Sequence, residues 1–506
     1  MLEQLLKKNE YKQVLILGLV NHKEQASKEA IQADLAITPA TFSRYLRNIN
    51  LDLEEIFPNY DVKIINNSDQ LSLLNTHDYS PDHLFNKLVH HYLMESNMYR
   101  MLKSLLLRNS HQTSLLIEEL NISQSYFNKL IKQLNTFIEP TGVIIAQRNK
   151  EIFFDGDEAK IIYLEYLMRH YFETIEPLPC ICTHSFPTIE EVVRDHTIAD
   201  LNDVQKQRME TLHHTFKKRY KQLHLIKIPD SELKEVLKAA MCDYDLLDDT
   251  VPIDDFNCDM RLYTNLLARI SSSQLEDLET KREIGRRLIE LDTPIVKNIV
   301  LFIDTICEKF IPNMTKNSRE YAEFFYMVIL HIAYIRLFGC NYKGMFQLNL
   351  LSRLEASHED QPIYAEILDY FHTPDNFLYL DKEISDVILN HNSLFIDSCY
   401  TAVRSYRKTT VKVSFDFIYR LSFEFFLQNR LRQIFGDSML EYVADSNEAD
   451  IMISDHFISV SKETTLFTFI DTNSSETLNK LLNLITRTYT TKIMTVESNK
   501  EKASQM

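Results

Sequence analysis

The strongest constraint on the fold is a repetition at an offset of 85 residues. The stretch LAITPATFSRYLRNIN, residues 35–50, returns as LNISQSYFNKLIKQLN, residues 120–135. Leu35 then meets Leu120, Ile37 meets Ile122, Thr38 meets Ser123, Phe42 meets Phe127, Leu46 meets Ile131 and Asn50 meets Asn135. Cations align too, Arg44 on Lys129 and Arg47 on Lys132. An apolar frame and a set of basic positions repeated together predict one kind of surface used twice.

Each copy reads as a helix-turn-helix. The first predicts a short helix over about 27–34, a turn, and a second helix opening at Thr38. There Thr38-Pro39 supplies a capping hydroxyl and then a proline at the first helical position, where a missing N–H costs nothing. The second copy predicts a first helix over 113–120 and Ser123 as the cap of its second. Alternating apolar segments follow both, at 61–74 and 143–154, with Asn66-Asn67-Ser68 and Arg148-Asn149-Lys150 between their halves. These are β-wings, so the N-terminal part predicts two winged helix-turn-helix domains in tandem.

In such a unit the second helix enters the major groove of duplex DNA and turns its N-terminal half to the bases. On helical periodicity that face carries Thr41, Ser43, Arg44 and Arg47 in the first copy, and Gln124, Ser125, Asn128, Lys129 and Lys132 in the second. Phe42, Tyr45, Leu46 and Ile49, like Phe127, Leu130, Ile131 and Leu134, fall on the core side. Arg44 is the foremost base or phosphate reader, because its planar fork can bond guanine through two atoms.

A net charge of -17 opposes a nucleic-acid partner until it is located. Residues 1–150 hold 16 Lys and Arg against 16 Asp and Glu, so the acidity belongs entirely to the rest of the chain. That remainder predicts a mainly helical protein, since 506 residues with 7 Gly and 13 Pro leave room for long helices and few tight hairpins. Long amphipathic helices fill 159–392, with a polar break near 277–294. After residue 405 the pattern changes. Strands over 411–417, 440–444, 449–454 and 465–471 alternate with helices over 423–436 and 475–491, predicting a small parallel sheet covered by helices. The last ten residues read as a disordered tail.

No run of about 18 uncharged apolar residues occurs, and the N-terminus is too charged for a signal peptide. A cytoplasmic protein without membrane contact is expected. Cys180, Cys182, Cys242, Cys258, Cys307, Cys340 and Cys399 are scattered and odd in number, which fits reduced thiols. Cys180, Cys182 and His184 in CICTH lack a standard zinc spacing, and the adjacent His90 and His91 diverge around a helix. Neither a metal nor a cofactor is expected.

This order of parts resembles the Mga/AtxA family of transcriptional regulators over nearly the whole chain. The resemblance implies winged helix-turn-helix domains at 1–75 and 76–158 and helical-bundle PTS-regulation domains at 159–283 and 284–398. It also implies a small α/β domain similar to enzyme IIB of the sugar phosphotransferase system at 405–496. It further implies an activator or global regulator that is phosphorylated on histidine by phosphocarrier proteins of that system. The candidate acceptors are His331, His213, His214, His196 and His391, with Arg336, Lys217 and Lys218 as cations that could receive a phosphoryl group. A homodimer is expected, because a helix bearing Phe423, Phe425, Phe426 and Phe435 has more apolar surface than one small domain buries.

Two rival functions are weaker. A phosphotransferase needs a nucleophilic cysteine in the loop after the first enzyme-IIB strand, and that loop here reads IYRLSFEFF. An RNA-binding antiterminator would carry small β-rich modules in place of helix-turn-helix units.

Overall fold

The computed structural model describes residues 5–21, 26–58, 62–67, 69–178, 202–220, 226–240, 255–271, 275–311, 314–338, 393–406, 410–419, 423–436, 439–445, 448–458, 460–461, 464–469 and 475–503. These fall into two compact units. Among the described residues, the first unit holds those up to 296 together with 326–338, and the second holds 297–325 and those from 393 onward.

The first unit opens with α1 (Lys8–Asn21), β1 (Ala26–Ser27), α2 (Lys28–Asp34), α3 (Pro39–Ile56), β2 (Val62–Asn67) and β3 (Gln70–Asn75). Ser27 caps α2 and Thr38 caps α3, whose first residue is Pro39. Val14, Ile16 and Leu17 of α1 are buried, as are Phe42, Leu46, Ile49 and Leu53 of α3, so a stripe of each helix leaves water. The wing ladder runs from Val62↔Asn75 to Asn67↔Gln70. Asn66 and Asn67, expected in the turn, therefore belong to the strand. The two residues of β1 add a third strand against β3.

The same order returns after α4 (Pro81–Met94) and α5 (Asn97–Leu107). It comprises β4 (Ser110–Gln112), α6 (Thr113–Leu120), α7 (Gln124–Ile138), β5 (Ile144–Arg148) and β6 (Glu151–Asp155). Ser123 caps α7 and β4 joins the wing through β6. Asn149 and Lys150 lie at φ 52 and 68, so a two-residue turn with left-handed residues at both positions closes this hairpin. Ala36 and Asn121, 85 residues apart, share the left-handed conformation in the turn of their units, at φ 48 and 50.

The bundle of the first unit is built on α8 (Glu158–Ile175), α9 (Asp203–Tyr220), α10 (Ser231–Ala240), α11 (Asp255–Ser271) and α12 (Leu278–Ile289). Charged pairs tie these helices. Arg219 of α9 bonds both oxygens of Glu158 at 2.7 Å and reaches Glu165 of α8 at 3.4 Å. Lys218 bonds Glu165 at 3.3 Å and the Leu106 carbonyl of α5 at 2.8 Å. Burial pulls the Lys218 ammonium below its ordinary range, although Glu165 opposes this. Arg269 pairs with Glu276 at 2.8 Å, and the Tyr326 hydroxyl donates to the same carboxylate.

Helices α13 (Pro294–Phe310) and α14 (Arg319–Phe338) follow. By length and composition α14 alone among the described helices is apolar enough to cross a membrane, and 67% of its apolar window is buried inside the protein. Such burial is that of a core helix.

After α15 (Ser393–Tyr406), the second unit contains β7 (Val411–Asp416), α16 (Phe423–Phe435), β8 (Leu440–Tyr442), β9 (Ile451–Ser454), β10 (Thr465–Thr468) and α17 (Ser475–Ala503). The four strands pair in parallel in the order β10-β9-β7-β8. Val411, Val413, Ile451 and Ile453 meet Leu427, Leu431, Leu481 and Ile485 in one core, the two-faced burial of a parallel sheet. The expected tail is helical as far as Ala503, because Glu, Lys and Ala in ESNKEKA are good helix formers.

Candidate nucleic-acid interface

Helices α3 and α7 each turn one face to the core and one to water. Ser43, Arg44 and Arg47 are exposed and Thr41 is half-exposed, while Gln124, Ser125, Asn128, Lys129 and Lys132 are all exposed. Phe42, Tyr45, Leu46, Ile49, Phe127, Leu130 and Leu134 are buried. Ile131, expected in the core, is half-buried, because it lies at the edge of the α7 stripe.

Several of these polar groups are already engaged. The Thr38 hydroxyl accepts from the Thr41 N–H at 3.3 Å and donates to the Thr41 hydroxyl at 3.0 Å, while Ser43 donates to the Pro39 carbonyl at 3.0 Å. The Thr38 hydroxyl thus caps the helix end, while the Ser43 hydroxyl bonds back to its own helix. The Arg44 guanidinium lies 5.7 Å from the Tyr45 ring centroid, which lays its stem along the helix. In α7, Gln124 Nε2 donates to Asn128 Oδ1 at 3.2 Å.

The wings add cations that the helix face alone did not single out. Lys63 on β2, and Arg148 and Lys150 at the tip of the second wing, are exposed. Arg148 pairs with Asp155 at 2.6 Å, leaving its charge partly neutralised. The alternation of exposed and buried positions along each hairpin marks them. Tyr126, 40% exposed, occupies in α7 the place of Thr41.

The histidine candidates lie apart from this surface in sequence. His331 on α14 is half-buried, and its Nδ1–H donates to the Met327 carbonyl at 2.9 Å. A carbonyl accepts only from N–H, so in the neutral ring the lone pair sits on Nε2. His213 and His214 lie on α9, where His214 is half-buried; the His213 and Lys217 side chains, His196 and His391 lie outside the described residues, as do Cys180, Cys182 and His184. Two of the cations expected to receive a phosphoryl group are already committed. Arg336 bonds Asp230 and Glu232 at 3.1 Å each, and Lys218 has the partners given above. Charges this deep in a bundle are stable only when paired.

At the carboxyl end of the parallel sheet, Asp455 accepts from the N–H groups of Ile418 and Tyr419 at 3.0 and 2.8 Å, and from His456 at 3.2 Å. Against the cost of burial, these donors hold its carboxyl below the usual range. Near this edge Ile418, Tyr419, Phe425, Phe426 and Phe457 are 56–85% exposed, whereas Phe423 and Phe435 of α16 pack on the core. Among the described residues no group of three or more His, Cys, Asp or Glu is placed to hold a metal ion.

Comparison with curated proteins yields no match. The model of the Mga helix-turn-helix domain, however, matches residues 81–169, from the first residue of α4 through the second winged unit and into α8. That span contains the second candidate surface, in which all the polar residues expected to face DNA from α7 are exposed. Residues 81–169 thus match the Mga helix-turn-helix domain, which is consistent with a Mga-like regulator.

Proposed function

We propose that this chain is a transcriptional regulator that binds double-stranded DNA through both helix-turn-helix units and responds to histidine phosphorylation by sugar-phosphotransferase carriers. The observation that carries the reading is the recurrence of exposed cations, Arg44 with Lys129 and Arg47 with Lys132, on capped helices followed by wings. Local charge is neutral over residues 1–150, so each unit binds modestly. Two units per chain, and a second chain, supply the rest by avidity.

The bundle from α8 onward corresponds to PTS-regulation domains and the parallel sheet to an enzyme-IIB-like domain. His331 supports the phosphorylation reading through its Nδ1 bond, which places the lone pair of the neutral ring on Nε2. In that step the P–N bond of a phosphocarrier breaks as a P–N bond to the imidazole forms. The terminal domain works without turnover: its loop after β7 has no cysteine, and Asp455 already occupies two of the loop's N–H donors. Its exposed aromatic residues support assembly as a homodimer.

Mobility-shift titration of promoter duplexes with the full-length chain tests the DNA reading. Arg44→Ala with Lys129→Ala should weaken binding and lower the slope of affinity against salt by about one per lost phosphate contact. Unchanged binding by the double variant at moderate salt refutes it.

A further inference from the structure

The two copies agree where they build the fold and differ where they would meet bases. Phe42 and Phe127 are both buried, and Asn50 and Asn135 make the same side-chain bonds to a wing strand. One column of the second helix diverges. It holds Pro39 and Ser43 in the first copy, and Gln124 and Asn128 in the second. Ser43 spends its hydroxyl hydrogen on its own helix, at the Pro39 carbonyl. Gln124 and Asn128 stay exposed and bond each other, one turn apart, beside Lys129.

That bond fixes the plane of the Asn128 carboxamide. It takes one lone pair of Oδ1 and leaves the second, together with both hydrogens on Nδ2. A donor and an acceptor side by side in one plane match the major-groove edge of adenine, where N7 accepts and the N6 amino group donates. Resting on the DNA-binding reading above, we propose that Asn128 reads an adenine, with Gln124 as its positioning residue. The cations common to both copies hold phosphates, which carry no sequence information. The first copy lacks an amide at these places, so one chain recognises two unlike half-sites in fixed order.

Selection from a randomised duplex library with the full-length protein tests this. The parent should enrich a site with a fixed adenine, and replacing that base by 7-deazaadenine should weaken binding. Asn128→Ala removes no cation and should keep the salt slope, yet lose roughly tenfold to a hundredfold in discrimination at that one position. The 7-deaza substitution should then have no further effect. Gln124→Ala should lose part of the same discrimination, without adding to Asn128→Ala in the double variant. Asn128→Arg should move the preference from adenine to guanine, which also guards against a variant that merely fails to fold. An Asn128→Ala protein that selects the parent's site overturns the proposal and leaves DNA binding standing. A parent that binds no duplex at low salt overturns both.

Discussion

Asn135 and Ile145 are joined by two hydrogen bonds that reproduce a rung of β-ladder: the side-chain Oδ1 accepts from the Ile145 N–H at 2.6 Å and Nδ2 donates to its carbonyl at 3.1 Å. Asn50 does the same to Ile64, at 2.8 and 3.0 Å. In each unit the rung clips the helix that would enter the groove to the first strand of its wing. Asn135→Ala leaves the buried Ile145 N–H without a partner and should cost about 1–3 kcal/mol. Thermal unfolding reads this, and a loss of only a few tenths would show that the rung is dispensable.

Ala36 adopts at φ 48 the conformation that Asn121 adopts at φ 50. Asparagine tolerates the left-handed region, whereas alanine is strained there by about 1 kcal/mol. Ala36→Asn should therefore raise the urea midpoint and Asn121→Ala should lower it. The opposite order would refute strain at this turn.

Burial, aided by Lys87, lowers the His90 imidazole to about 4, and burial with Arg208 also lowers His170. The folded protein keeps both rings neutral while the unfolded chain takes up protons below pH 6.5. Stability contributed by their neutral burial is thus complete above pH 6.5 and falls as pH drops through 6.5 towards 4. His90→Gln should flatten that fall in urea titrations at pH 7.5 and 5; an unchanged pH dependence removes His90 as a source.

Incubation with phosphocarrier components should place an acid-labile phosphoryl group on His331, His213 or His214. Arg336 and Lys218 are already paired, so the added charge meets no ready cation from either and should loosen neighbouring helix contacts. Mass spectrometry locates the group and hydrogen exchange reads the loosening. Absence of phosphohistidine at all three sites excludes them.

Truncation after Tyr406, which keeps the bond from Tyr406 to Glu323, should reduce the mass seen by light scattering to that of one chain. A truncated protein as oligomeric as the parent would show that exposed Phe425, Phe426 and Phe457 are not what joins the copies.

Much of this was legible in the sequence because the signals are local. Thr38-Pro39 and Ser123 cap the helices they announce, and alternation located every strand of the parallel sheet. The two-residue β1 and three-residue β4 escaped, since so few residues show no period. Arg219 and Glu158, 61 residues apart, escaped for another reason: nothing in either segment names the other. At the candidate surface the exposed residues were readable from helical spacing, but the bond between Gln124 and Asn128 and the pairing of Arg148 with Asp155 required coordinates.

The paired asparagine clips span different lengths of chain, 14 residues from Asn50 to Ile64 and 10 from Asn135 to Ile145. Both ends of each clip keep their geometry while the intervening segment changes length by almost half. That segment is therefore the natural splice point for a reporter peptide: an insertion there in the first unit lengthens a path that duplication has already varied, and leaves α3 and its wing in register.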